Sequence, residues 1–174
     1  MSSTVSKQDF AQLVRQHARQ VIDFTARLLP DRQDAEEVAQ DVFVKAYQQL
    51  DTFRGEASLL TWLQRIAYHE ALDRLRRRRP HTVDIDGPAA LREFASLAAD
   101  DELSTGREER ILLLEEAVSD LPPDEQLLLH LYYYDDRPLR DIAYIMDADC
   151  NALGVRLHRI RKKLQTMIKQ REDE

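Results

Sequence analysis

The amino-acid sequence predicts an all-α protein of two small helical domains joined by a flexible acidic linker. Apolar residues recur at the i, i+3, i+4 spacing of amphipathic helices through most of its 174 residues. No run of residues has the pattern of a β-strand, and no internal repeat is visible. A hydrophobic fraction of 43% is enough for a core, while 33% charged residues predict a very polar surface.

The first 50 residues predict two helices. Apolar residues between positions 10 and 28 follow helical spacing, and Pro30 ends this first helix because proline cannot continue it. The second helix extends to about Leu50 and again has its apolar residues on one face. We expect Asp34 to cap its N-terminus, since a carboxylate accepts hydrogen bonds from the free N–H groups there.

The loop FRGEAS separates the second helix from a third, at about residues 59 to 78. Gly55 interrupts the helical pattern, Ser58 is suited to cap the third helix, and Pro80 ends it. One face of this helix is apolar, and another carries an aromatic ring, a histidine and two arginines, which would suit a nucleic-acid strand. Packing of a lone tryptophan in the core is the simpler alternative. The residues of that second face are Trp62, Arg65, His69, Asp73 and Arg76.

A block of arginines ends the third helix, in the sequence ALDRLRRRRP. Residues 54 to 80 hold seven arginines against three acids, a net charge of +4 in a chain of net charge −7. A solvated helix end, a basic tail and the start of a linker are three simple explanations, and one or two cations do stabilise a helix C-terminus. Five arginines exceed that requirement, which favours contact with a polyanion.

Residues 81 to 106 predict the linker between the domains. They are acidic, contain Gly87, Pro88 and Gly106, and show little periodicity apart from one short helical turn near residues 91 to 97. Over residues 81 to 125, thirteen acids stand against three arginines, a net charge of −10. The predicted domains are therefore residues 1–80 and 107–174.

The sequence of the second domain predicts a helix-turn-helix. Helical spacing resumes at Arg107, a further helix starts at Pro122 and Pro123, and the helix of RPLRDIAYIM precedes the short turn DADC. The last long helix starts at about Asn151, with Asp149 suited to cap it. Its outer face is basic, and residues 154 to 171 hold seven cations and no acid. This pattern favours DNA binding, although an ordinary helical hairpin with a solvated face is the alternative.

Other classes of protein are disfavoured by what the sequence lacks. No apolar run approaches the roughly 20 residues that span a bilayer, and MSSTVSKQDF lacks the pattern of a signal peptide. The single cysteine, Cys150, excludes an internal disulfide. We find no Gly-rich phosphate loop, metal-ligand spacing or nucleophile motif. The sequence thus predicts a cytoplasmic protein with no cofactor and no metal.

Two segments together resemble a known family. They are DAEEVAQDVFVKAY…FRGEASLLTWLQRIAYHEALDRLRRRR and LPPDEQLLLHLYYYDDRPLRDIAYIMDADCNALGVRLHRIRKKL, in this order with a short acidic linker between them. The chain resembles an extracytoplasmic-function sigma factor of the bacterial sigma-70 family, over most of its length. The resemblance implies three partners: core RNA polymerase, bound through its β′ clamp helices and β flap, promoter DNA, and an anti-sigma factor.

The resemblance also implies site residues. The outward face of the second helix resembles the segment that binds the β′ clamp helices, with Glu36, Glu37, Gln40, Asp41 and Val44. The FRGEAS loop and the third helix resemble the part that melts the promoter and holds the minus-ten element, with Arg54, Glu56, Ser58, Trp62, Arg65, His69, Arg76 and Arg77. The arginines at 77 to 79 would make generic phosphate contacts. The last helix would recognise the minus-thirty-five element with Asn151, Val155, Arg156, His158, Arg159 and Lys162.

Three positions depart from the family pattern. His69 stands where the family usually has asparagine, Gly154 where it often has lysine or arginine, and Val155 where serine is common. Glycine weakens a helix but permits close approach of a backbone, and valine is suited to a thymine methyl group. The predicted function is a promoter-specificity subunit that catalyses no reaction itself. A dimeric helix-turn-helix regulator acting without polymerase, and a helical interaction protein, are the alternatives.

Overall fold

The computed structural model describes residues 6–78 and 106–173, and in these two ranges the chain is helical and contains no β-strand. The predicted all-α fold is confirmed. The predicted linker lies outside the described residues except for Gly106, as does the helical turn predicted within it. Within the described ranges no helix is both long enough and apolar enough to cross a bilayer.

The chain divides into two compact units. The first comprises the residues up to Thr82 together with the short segment Ala143–Ala148, and the second comprises Val83–Ile142 and Asp149–Glu174. Among the described residues, three α-helices form the body of the first unit. The second unit contains two helices, a π-helical turn, the start of a further helix and the long last helix.

Helix α1 (Lys7–Leu28) begins with a capping box. The Ser6 hydroxyl accepts from the Asp9 N–H at 3.2 Å, and the Asp9 carboxylate accepts from the Ser6 N–H at 3.1 Å. These Ser6 contacts hold the pKa of the Asp9 carboxyl below its usual value. Near the other end of α1 the buried Thr25 hydroxyl donates to the Ala35 carbonyl at 2.8 Å and ties α1 to the following helix.

Helix α2 (Arg32–Gln48) starts earlier than the sequence predicts. Asp31 is the N-cap, and its carboxylate accepts from the Gln33 N–H at 2.9 Å. The expectation that Asp34 caps this helix is wrong, because Asp34 lies inside the first turn with its side chain buried. A carboxylate is still favourable there, since the N-terminal end of a helix carries partial positive charge.

A 3₁₀ turn (Leu50–Thr52) and the FRGEAS loop lead into helix α3 (Leu59–Arg77), which Ser58 caps as predicted. Helices α1, α2 and α3 pack on one another in all three pairs. Buried apolar side chains from all three form the core, which stabilises the unit because each large one removed from water contributes about 1.5–3 kcal/mol. The core includes Val21, Phe24, Leu28, Val38, Val42, Leu63 and Ala67.

The second unit begins with helices α4 (Gly106–Ser119) and α5 (Pro123–Leu129), with Pro123 at the first helical position as predicted. A π-helical turn (His130–Tyr134) follows, for which the sequence offers no signal. Helix α6 (Leu139–Met146) and helix α7 (Cys150–Glu172) complete the chain. Both α4 and α5 pack on α7. The buried apolar residues include Leu114, Leu127, Leu128, Leu131, Leu153, Leu157, Ile160 and Leu164.

The turn between α6 and α7 is short, with three residues between the end of one helix and the start of the next. Asp147 adopts a left-handed conformation with φ of 52°, which aspartate tolerates better than most residues. The Asp149 carboxylate then accepts from the N–H groups of Asn151 at 3.0 Å and Ala152 at 3.2 Å. Cys150, the first residue of α7, is exposed.

The Asp149 cap should be measurable as a local stability effect. Asp149→Ala removes the acceptor for two N–H groups and should cost about 1 kcal/mol. Hydrogen exchange at the first amides of α7 should therefore accelerate about fivefold, since 1.4 kcal/mol is a factor of ten. Asp173→Ala is the control, because that acid follows the C-terminus of the same helix. Equal exchange rates in the two variants would contradict the capping role.

Candidate nucleic-acid interface

Part of the arginine block is occupied inside the first unit. The Asp34 side chain is only 5% exposed, and Arg78 forms an ion pair with its Oδ2. Arg74 Nη1 lies 3.4 Å from Asp34 Oδ1 and 3.4 Å from Glu37 Oε2. We call these four residues the Asp34 cluster. The cluster joins the start of α2 to the end of α3, so that two arginine charges neutralise a buried carboxylate.

The Asp34 cluster includes one arginine that the sequence assigned to phosphate contacts. Arg78 has its guanidinium paired with Asp34, although the side chain is still 58% exposed. Arg79, also assigned to phosphate contacts, lies outside the described residues. Arg76 and Arg77 are exposed, and Arg76 has only a surface pair with Asp73 at 3.5 Å within the same helix. Exposed pairs of this kind are weak, so within the described part of the block Arg76 and Arg77 are exposed and available to a polyanion.

The residues of the predicted polar face of α3 differ in their exposure to solvent. Trp62 is 7% exposed, and its ring centroid lies 5.2 Å from that of Phe53. The ring is therefore packed and is not presented to solvent as a stacking surface. Arg65 is half-buried, while His69 is exposed with its ring 5.5 Å from that of Tyr68. The structure thus leaves His69 and Arg76 as the exposed predicted binding residues of this face.

The FRGEAS loop presents two charges next to the start of α3. Arg54 and Glu56 are exposed on either side of Gly55, whose φ of 73° is a conformation that glycine adopts without strain. Ser58, also predicted to contact DNA, has its hydroxyl engaged in the cap, 3.2 Å from the Thr61 N–H and 2.8 Å from the Thr61 hydroxyl. Its role in the structure is to fix where α3 begins.

The outward face of α2 carries an exposed apolar patch among polar groups. Val44 is 57% exposed, and Gln40 and Asp41 are exposed beside it in the sequence. Tyr47, which was not among the predicted residues, is 42% exposed and lies three residues after Val44, one turn along the same side of the helix. That spacing was the signal that could have identified it. The Phe10 ring contacts the Tyr47 ring edge to face at 5.2 Å.

Two acids predicted on this face are partly engaged with neighbours. Glu36 pairs with Arg32 at 3.1 Å, one turn earlier in α2. Glu37 belongs to the Asp34 cluster through Arg74. Both carboxylates are about half exposed, so each presents one side to solvent.

The cations of α7 separate into an inner and an outer group. Arg156 forms an ion pair with Asp124 in α5, and Lys163 lies 3.6 Å from Glu125. Arg171 pairs with acids of α4 and the turn after it. Arg156 was predicted to contact DNA, but the structure directs it towards α5. The acids of α4 and α5 therefore neutralise the inner cations and hold α7 in place.

The outer group faces solvent. No carboxylate of the described residues lies within ion-pair distance of Arg159 or Lys162. Arg161 stacks over the Tyr133 ring at 5.5 Å; burial raises the pKa of Tyr133, although the Arg161 charge opposes this. Val155 is 51% exposed. Five of the six residues predicted on α7 thus share an exposed outer face, namely Asn151, Val155, His158, Arg159 and Lys162.

The site contains no feature of a metal centre: within the described residues, no group of three or more His, Cys, Asp or Glu side chains could hold a metal ion. Arginines, lysines and one exposed valine on a helix face can instead bind phosphates and base edges.

Two family models match the chain, one in each half. The sigma-70 region 2 family model matches residues 13–81, and the sigma-70 region 4 model matches residues 111–164. The RNA polymerase sigma-H factor of Pseudomonas aeruginosa is 30% identical over 178 residues, covering 94% of this chain and 90% of that protein. The ECF RNA polymerase sigma-E factor of Escherichia coli K12 is 32% identical over 168 residues, covering 91% and 86%.

Solved structures show the same fold. The sigma factor RpoE in complex with the anti-sigma factor NepR from Bartonella quintana aligns with a TM-score of 0.63 and 20% identity, over 93% of this chain and 98% of that one. CnrH in complex with the cytosolic domain of CnrY aligns with a TM-score of 0.60 and 21% identity, over 95% and 90%. From its matched regions and its relatives, the chain belongs to the sigma-70 family, in the extracytoplasmic-function (ECF) group.

Proposed function

We propose that this chain is an alternative sigma factor that binds core RNA polymerase, directs it to specific promoters and catalyses no reaction of its own. The observation that carries the proposal is the presence, in one chain, of sigma-70 region 2 and region 4. We assign residues 1–80 to the first, 81–106 to a linker and 107–174 to the second. The place of action would be the cytoplasm, where polymerase and promoter DNA meet.

Core polymerase is proposed to bind the outward face of α2. Val44 and Tyr47 provide exposed apolar area, and Gln40 and Asp41 provide polar groups around it. An apolar centre with a polar rim is the usual composition of a protein interface. Glu36 and Glu37 would lie at the edge of this surface. The β′ clamp helices are the proposed partner, and the β flap is the proposed partner of the second domain.

The FRGEAS loop and α3 are proposed to hold the melted minus-ten element. Arg54, Glu56 and His69 would contact a displaced strand, while Arg76 and Arg77 neutralise its phosphates. Capture of a flipped base costs a few kcal/mol of unstacking, and contacts between the base and a rigid pocket must offset this free energy. The Ser58 cap and the Phe53–Trp62 packing would provide that rigidity.

Helix α7 is proposed to enter the major groove at the minus-thirty-five element. Its exposed outer face starts next to the helix-turn-helix turn, as in other proteins of this architecture. Arg159 and Lys162 would contact phosphates, and Arg156 would act by fixing α7 against α5 through Asp124. An anti-sigma protein is the proposed regulator, since the aligned sigma factor RpoE is in complex with the anti-sigma factor NepR.

The charge of the chain predicts how the two DNA contacts cooperate. A net charge of −7 opposes tight DNA binding by the free protein. Each domain alone offers a small interface, and holding both on one polymerase raises the effective concentration of the second contact. We therefore expect weak binding by the isolated chain at physiological salt and specific binding by the holoenzyme.

Transcription start mapping after induced production of the chain tests the function. We expect new starts that share two upstream elements, and run-off transcription from them only when core polymerase and this chain are both present. A gel-shift series with chain alone, core alone and holoenzyme tests the cooperation. Nanomolar, sequence-specific binding by the isolated chain, accompanied by dimers on size exclusion, would contradict the proposal.

A further inference from the structure

We infer that the first two turns of α7 recognise A·T base pairs in the minus-thirty-five element, with Asn151 contacting adenine and Val155 packing on a thymine methyl group. The inference rests on the proposed function and names the base chemistry of that same site. It depends on the distribution of charge along α7, on the exposure of two side chains one turn apart, and on the space beside Gly154.

Charge changes abruptly along α7. Residues 150 to 155 carry no charged side chain, whereas residues 156 to 163 carry five cations. In a helix-turn-helix the N-terminal residues of the second helix contact base edges. Guanine is commonly recognised by a bidentate arginine or lysine at its O6 and N7 atoms. The uncharged end of α7 holds neither residue, so it is poorly equipped for guanine.

The side chains that this end does present are suited to A·T pairs. Asn151 and Val155 are both exposed, and their i, i+4 spacing puts their Cβ atoms about 5–6 Å apart on one face. An asparagine amide matches the N6 and N7 atoms of adenine, and an apolar side chain matches the methyl group of thymine. With base pairs about 3.4 Å apart, the two residues would reach neighbouring or next-neighbour pairs.

Gly154 leaves room beside Val155. A Cβ atom built on Gly154 would meet nothing within 4 Å, so packing inside the unit does not require glycine here. Glycine also weakens the helix relative to alanine. The bare backbone next to Val155 lets a DNA strand approach closely enough for a methyl contact. The Asp149 cap, which binds the Asn151 and Ala152 N–H groups, fixes where this surface begins.

The test uses holoenzyme and a promoter fragment taken from the mapped transcription starts. Thymines in the minus-thirty-five element are replaced one at a time by uracil, which lacks only the methyl group. We expect one position at which uracil weakens holoenzyme binding about fourfold, the factor that burial of one such group gives. Val155→Ala should bind the thymine and uracil promoters equally. Adenines replaced by 7-deazaadenine should likewise identify one position whose effect disappears in Asn151→Ala.

Arg159→Gln is the matched control on the same face. It should weaken binding to the thymine and uracil promoters by the same factor and reduce the salt dependence, because it removes a phosphate contact. Thermal unfolding checks that Val155→Ala, a change at an exposed position, leaves the fold intact. Gly154→Ala should raise thermal stability and weaken promoter binding, a combination that a purely structural role would not produce.

The inference is overturned if no thymine is sensitive to uracil, or if the sensitivity persists unchanged in Val155→Ala. In either case holoenzyme still initiates at the mapped promoters, and the proposed function stands. If the wild-type chain gives no specific initiation with core polymerase, the proposed function fails and the inference falls with it.

Discussion

Arg74→Gln combined with Arg78→Gln is expected to destabilise the first unit by about 3 kcal/mol. The double change leaves the Asp34 carboxylate, whose side chain is 5% exposed, without its two cations. Removing the partner of a buried charge typically costs about 3–5 kcal/mol. We expect the lower end of this range, because Arg78 is itself 58% exposed and water can therefore hydrate the Asp34 carboxylate in its absence.

Fluorescence of the sole tryptophan during urea unfolding measures this effect. Trp62 is buried in the first unit, so its emission reports that unit rather than the whole chain. The matched control is Arg76→Gln with Arg77→Gln, which removes the same charge from the same helix at exposed positions. We expect that control to change the free energy of unfolding by less than about 0.5 kcal/mol.

Asp34→Asn should restore stability when it is added to the double variant. Without the carboxylate there is no buried charge to stabilise, so the triple variant should recover most of the lost stability. Asp34→Asn alone should cost less than the arginine pair, because the freed arginines are partly exposed and can be hydrated. If the arginine pair proves as mild as its control, the Asp34 cluster does not stabilise the fold.

Val44→Glu is expected to weaken binding of core polymerase about 30-fold, the effect of losing roughly 2 kcal/mol at the centre of an interface. Val44 is 57% exposed, so the change should leave the stability of the free chain nearly unaltered. Competition of the variant against labelled wild-type chain for core polymerase gives the ratio of dissociation constants.

Val155→Glu provides a reciprocal control for this experiment. It is the same substitution at a valine of similar exposure, 51%, in the other domain. We expect it to retain core binding and to lose promoter binding, since an acid would then face the phosphates. If Val44→Glu and Val155→Glu bind core polymerase equally well, the outward face of α2 is not part of the interface.

Helical periodicity was enough to predict the helices and the helix-turn-helix, because the apolar stripes of α1, α2 and α7 are long and regular. Helical periodicity was not enough to predict which side chains of the polar face are buried. A helical wheel gives the direction of Trp62 around α3, but it does not show Phe53, which precedes the helix and whose ring packs against that of Trp62. Burial of Trp62 is a tertiary effect.

The ion pairs between different helices could not be predicted from the sequence either. Arg74 and Asp34 are forty residues apart, and Arg156 and Asp124 are thirty-two residues apart. Sequence spacing reveals ion pairs only at i, i+3 or i+4. The sequence therefore showed how many arginines there are, but not which of them the fold already uses. The exposed outer face of α7 was predicted almost completely, because its neighbours are one helical turn away and not in another element.

The single cysteine offers a practical use of the native chain. Cys150 is exposed at the first position of α7, directly after the Asp149 cap. A thiol-reactive dye or photocrosslinker would attach there and at no other side chain, without any engineered substitution. Such a label lies within two helical turns of Val155. Its emission, or the nucleotide to which it crosslinks, would report the moment at which this end of the helix meets a promoter, and the order of that event relative to strand opening.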